Sequence, residues 1–240
     1  MSISYMKKHI LKRYIKKIDE MRSLLGKRWE YPYDTFLEKM SLSFQLLQLV
    51  EKSNVKKEIK IEARKNFIIN CITAVEVFFK DMIIGLDWFE VLNEDGIDEL
   101  LSEKITLTEA WLLFKTKNIS LGEIIAAKFS FQSLPEINKI MKKLLGVSNF
   151  LKEVEQYEVT EIDEDNEEEK VKFVLKDAYP DWRKKVQEIF ELRHKFVHQV
   201  SFKDRIGLHR LKELYRDLDA FVEASEQYLL SFVPLEENNE

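Results

Sequence analysis

Only 6 glycines and 4 prolines punctuate a chain of 240 residues. Strands and the tight turns between them draw on both residue types, whereas helix interiors exclude them. So scarce a supply favours long uninterrupted helices, and the chain reads as an all-α helical bundle. Hydrophobic residues, 45% of the total, suffice for a core. The single cysteine, Cys71, excludes an intramolecular disulfide framework and a cysteine-rich zinc site. Its apolar neighbours mark it as a small core residue. A formal net charge of −5 argues against nucleic-acid binding by the chain as a whole and leaves room for local RNA contact.

Apolar residues recur at helical spacing over 5–25 (Ile10, Leu11, Tyr14, Ile15, Ile18, Met21, Leu25), with lysines and arginines on the other face and Gly26 suited to the end. Such a basic amphipathic helix either packs with a solvated face or touches RNA or anionic lipid. "YPYD" at 31–34 predicts a turn, with Asp34 capping a second helix to about Val50. The longest helix is expected over 57–86, apolar nearly all round in its second half, as a central helix is. One narrow polar line remains on it: Asn66, Asn70, Thr73, Glu76 and Lys80. Spacings of three and four keep these on one face, either towards solvent or as a wall of a polar site. Thr108 can cap "EAWLLFKTKN"; "ISLGEIIAAKFSF" and "LPEINKIMKKLLG" follow, the latter closed by Gly146. Residues 153–170 are strongly acidic, with strand character in "VKFVL" after them. They predict an exposed loop or small hairpin with little to bury, and their carboxylate spacing does not match an EF-hand. Pro180 suits the first turn of the next helix, after Asp177 or Tyr179, and that helix is expected to reach about Val200. A final helix over about 205–232 carries Leu208, Leu211, Leu214, Leu218, Phe221, Val222 and Tyr228 on its apolar side. Pro234 and an acidic tail follow. With no signal-peptide pattern and no apolar run near the ~18 residues of a membrane span, the expectation is a cytoplasmic protein without a membrane partner.

The stretch "ELRHKFVHQV", residues 191–200, is where chemistry concentrates. At about 100° per residue, Val186, Ile189, Phe190, Phe196, Val197 and Val200 form an apolar stripe. Arg193 falls inside it, where a leucine is expected. A guanidinium keeps its charge, and burying it unpaired costs several kcal/mol. Arg193 therefore meets an anion, reaches water or faces a partner subunit. His194 and His198 lie one turn apart on the flank, near Gln187 and Glu191. Arg193 and His198 stand about 140° apart, so one helix does not aim both at a small target; two copies around a twofold axis can. Two readings stay open at this level. Either Arg193 pairs with Glu191 or another carboxylate beside ordinary surface histidines, or the group cleaves RNA. A histidine can take the proton of a ribose 2′-hydroxyl while an arginine holds the scissile phosphate.

"RHKFVH" resembles the R-x4-6-H motif of the HEPN superfamily (higher eukaryotes and prokaryotes nucleotide-binding domains), in which a polar residue follows the arginine, as His194 does here. "NFIINCITAVEVFFKDMI" resembles the family's long early helix, with a glutamate at the place of Glu76. "ISLGEIIAAKFSFQSLPEINKIMKKLLG" is similar to the segment before the catalytic helix in prokaryotic defence-linked members. The resemblance covers about 57–232 and leaves 1–56 as N-terminal helices packing on the bundle, with the acidic insertion at about 153–170. It implies a dimeric bundle that joins two motifs in one cleft. It also implies metal-independent endoribonuclease activity in a toxin–antitoxin or antiviral defence system, with RNA as substrate and an antitoxin or defence protein as a further partner. By matching positions, Arg193 and His198 would be catalytic, with His194 and Glu76 supporting; no cofactor or metal is implied. Non-catalytic nucleotide- or protein-binding modules also occur in the family, and this is the alternative expectation.

Overall fold

The computed structural model describes residues 32–102, 119–162, 170–198 and 206–234. The helix expected over 5–25 with Gly26, the segment capped by Thr108, Val200 and the acidic tail lie outside the described residues. Among the described residues the fold is all-α: nine helices and one two-stranded hairpin. In chain order they are α1 (Pro32–Lys52), α2 (Lys57–Trp88), α3 (Glu94–Ser102), α4 (Leu121–Lys128), α5 (Leu134–Leu144), α6 (Phe150–Gln156), β1 (Glu158–Ile162), β2 (Lys170–Val174), α7 (Leu175–Ala178), α8 (Trp182–His198) and α9 (Leu208–Leu230).

Helix α2 is the axle. Phe67, Ile68, Cys71, Ile72, Val75, Phe78, Phe79, Met82, Ile83 and Leu86 are buried on it, and α1, α4, α8 and α9 pack around it. Phe79 is an aromatic hub, with Phe131, Phe150 and Phe221 at centroid distances of 5.9, 6.1 and 6.1 Å. Burying each such ring contributes about 1.5–3 kcal/mol. Local chemistry sets the shorter helices. Ser120 and Glu123 form a reciprocal capping box on α4, and Ser133 accepts from the Glu136 amide on α5. Gly146 takes φ +68° after α5, a left-handed position that glycine accepts without strain. Gly96 lets α3 press on α5: an added Cβ there would stand 1.9 Å from the Lys143 carbonyl oxygen.

Four expectations change. Pro32–Asp34 of "YPYD" are helical and not a turn: α1 already includes Pro32, because proline preorganises the first helical position. Asp34 thus sits in the first turn, and the Tyr33 amide donates to Glu226 at 2.8 Å. Pro180 precedes α8, which starts at Trp182 with its amide on the Tyr179 carbonyl. The acidic insertion starts later than 153, since α6 continues to Gln156 with Val154 buried. The antiparallel hairpin that follows, Val159 opposite Phe173, is not an idle appendage. Val159 is fully buried, and the Gln227 side chain accepts from the Thr160 amide (2.9 Å) and donates to the Thr160 carbonyl (3.0 Å), fastening β1 to α9.

Candidate functional site

Helix α8 is positioned by its first three turns. Trp182 is buried and stacks on Phe221 of α9, centroids 4.9 Å apart. One turn on, Lys185 meets the wholly buried carboxylate of Asp217 at 2.9 Å, with Arg216 on the other oxygen at 3.2 Å. One turn further, Glu188 accepts from Arg210, which also donates to Glu213 at 3.2 Å. These hydrogen bonds hold the Arg210 guanidinium even more firmly charged than usual, the Glu188 bond contributing most, and hold the Glu213 carboxyl below its ordinary range. Val186, Ile189, Phe190 and Leu192 fill the space between.

At Arg193 the pattern changes. The residue lies at the middle of the core-facing side and is half-buried; its Nε is buried without a hydrogen-bond partner among the described residues. Among the described residues no carboxylate forms an ion pair with it. Glu191 instead accepts from Gln187 at 3.2 Å, so the Arg193–Glu191 pairing is not formed. Beyond Arg193 the apolar stripe outruns its cover. Phe196 is half-buried, with the Lys65 ammonium 5.7 Å from its ring centroid, and Val197 is 44% exposed. Leu192, left off the expected stripe, is buried, because α8 is covered over a wider arc than a narrow stripe. His194 and His198 are both exposed, and their ring centroids stand 4.7 Å apart.

The structure groups Arg193, His194 and His198 at one end of α8 and keeps Glu76 elsewhere. The axes run antiparallel: Trp182 reaches Phe79 through Phe221, while Phe196 lies beside Lys65. Glu76 is eleven residues beyond Lys65, about 16 Å along α2. Lys80 donates to its Oε1 at 2.6 Å and Gln132 to its Oε2 at 2.9 Å, which makes it a junction between α2 and the segment after α4. The polar line on α2 therefore divides: Asn66 and Thr73 are exposed, Asn70 donates to Ser43 of α1 at 3.1 Å, and Glu76 ties in Gln132.

Near the Arg193 end, in a way the helical pattern does not foretell, cations of α2 are paired: Lys65 lies 3.4 Å from Glu62. Arg64 grips Glu51 of α1 with two hydrogen bonds, 2.6 and 2.9 Å, and donates to the Ile206 carbonyl at 3.0 Å. The Arg64 hydrogen bonds hold the Glu51 carboxyl below its usual range. A second feature missed lies away from α8: a cavity of about 390 Å³ bordered by Asp34, Asp81, Phe89 and Glu226. Burial, opposed by the Tyr33 amide bond, pushes Glu226 up to about 7. Its signal was hidden, because burial of Glu226 comes from α1, some 190 residues earlier in the chain.

No helix among the described residues is long and apolar enough to cross a membrane. No family model, curated protein or solved structure matches the chain. The class that the fold defines is an all-α bundle with a docked hairpin and an arginine–histidine cluster at the end of α8.

Proposed function

We propose that the chain is a metal-independent endoribonuclease of the HEPN type, working in the cytoplasm within a prokaryotic toxin or antiviral defence system. The observation that carries this reading is Arg193: a guanidinium whose buried Nε has no hydrogen-bond partner among the described residues, one residue from an exposed histidine pair. A cation held in this way is under-satisfied until an anion arrives, and a phosphate supplies two acceptor oxygens in the geometry that guanidinium favours.

In this mechanism His198 accepts the proton of a ribose 2′-hydroxyl and the 2′-oxygen attacks phosphorus. Arg193 neutralises the charge growing on the phosphoryl oxygens. The 5′-oxygen leaves and takes up a proton, giving a 2′,3′-cyclic phosphate and a 5′-hydroxyl end. His194 supports His198 as its neighbour. Glu76, engaged with Lys80 and Gln132, is outside the reacting group. Arg193 and His198 diverge on one helix, so the working pair is Arg193 of one protomer with His198 of its partner. The half-exposed Phe196 and Val197 supply apolar surface for that contact.

The test is purified protein with mixed RNA in excess chelator. Cleavage with cyclic phosphate ends is expected, and Arg193→Ala and His198→Ala each lower it by about 10²–10⁴-fold. A heterodimer of these two variants keeps one intact pair across the interface and recovers part of the rate. Strict dependence on added magnesium would contradict the mechanism, and activity in a strictly monomeric protein would contradict the shared site. RNA binding without cleavage would favour the non-catalytic nucleotide- or protein-binding alternative.

A further inference from the structure

The histidine pair has a second chemical capacity. His194 and His198 are four residues apart on α8, both exposed, with ring centroids 4.7 Å apart. Imidazole nitrogens bind nickel, copper and zinc at about 2.0–2.1 Å. Adding the roughly 1.1 Å from ring centre to nitrogen places an ion about 3.2 Å from each centroid. Two centroids 4.7 Å apart lie within the roughly 6.4 Å that one ion shared by both rings can span.

We propose that His194 and His198 form a two-point clip for a divalent transition-metal ion that takes imidazole ligands, nickel, copper or zinc, and that the ion inhibits the protein. Among the described residues no cluster of three or more histidine, cysteine or carboxylate ligands occurs. Glu191 shares this helix face but accepts a hydrogen bond from Gln187. The clip therefore supplies two ligands and leaves the remaining positions to water, which suits a reversible regulatory ion rather than a permanent structural one. Magnesium and calcium, which prefer oxygen ligands, are excluded by the same chemistry. The inhibitory half rests on the ribonuclease reading above. A histidine nitrogen that donates its lone pair to a metal cannot accept a proton from a 2′-hydroxyl.

The experiment is calorimetric titration of the chelator-stripped full-length chain with Ni²⁺, followed by RNA cleavage across the same concentrations. The chain has four histidines, so the background is small and testable. One ion per chain is expected. His194→Ala and His198→Ala each weaken binding at least about tenfold, while His209→Ala leaves it unchanged. Broadening of the His194 and His198 imidazole resonances by Ni²⁺ locates the ion without reference to activity. Absence of binding at millimolar Ni²⁺, or binding retained in a folded His194→Ala/His198→Ala double variant, overturns the clip. Cleavage in chelator by a protein that binds no Ni²⁺ overturns the clip alone. Ni²⁺ binding by a protein that cuts no RNA upholds the clip and removes the ribonuclease reading.

Discussion

The two halves of α8 treat charge in opposite ways. In the first, the ionic side chains turned towards the bundle stand in ion pairs: Lys185 with Asp217, whose Oδ2 makes no hydrogen bond among the described residues but lies 2.9 Å from the ammonium, and Glu188 with Arg210. In the second, Arg193 is turned towards the bundle with a buried Nε that nothing in the described residues accepts from, and the two histidines face outward. Both halves belong to one helix, packed on α9 and α2, so the difference does not come from secondary structure. A buried, paired charge is costly to break, whereas a buried, unpaired one costs stability from the start. Stability accounts for the first half of α8. It gives no reason for an arginine rather than a methionine in the second.

This contrast sets the order of effects. Trp182→Ala is expected to do the most damage, about 3–5 kcal/mol, because it removes a fully buried ring stacked on Phe221 and leaves a cavity where α2, α8 and α9 meet. Thermal or denaturant unfolding measures it; a loss below 1 kcal/mol would mean that α8 is not anchored there. Lys185→Ala comes next, at about 2–3 kcal/mol, since Asp217 is fully buried and keeps only the more exposed Arg216. A neutral outcome on the same unfolding curves would show that Arg216 alone satisfies Asp217, and the contrast between the halves would weaken. The smallest effect on stability is expected from Arg193→Met, at most about 1 kcal/mol and in the stabilising direction.

How much of this could be read beforehand follows from the range of the interactions. The helix expected over 57–86 is α2, Lys57–Trp88, because its apolar pattern is local and a backbone without proline has no competing structure. Arg193 stood out for the same reason: a charge within an apolar stripe is a local contradiction. Leu192 did not, because how wide an arc of a helix is covered depends on its neighbours. Val159 carries no signal, since one buried valine between Glu158 and Thr160 shows no period; the strand is docked through Thr160 by Gln227, 67 residues further on. Glu76 stands out on the polar line of its helix, yet its partner Gln132 lies 56 residues on, beyond the reach of spacing arguments. Glu226 depends on burial by α1 in the same way.

The central claim is that Arg193 is present for chemistry and not for the fold, and Arg193→Met tests it most directly when melting and RNA cleavage are measured on one preparation. The volume is nearly kept, the charge is removed, and no partner is left behind. The expected result is a melting temperature equal to or above that of the unaltered protein, with cleavage in chelator reduced at least about 100-fold. A variant that melts several degrees lower while cutting RNA at the original rate would contradict it.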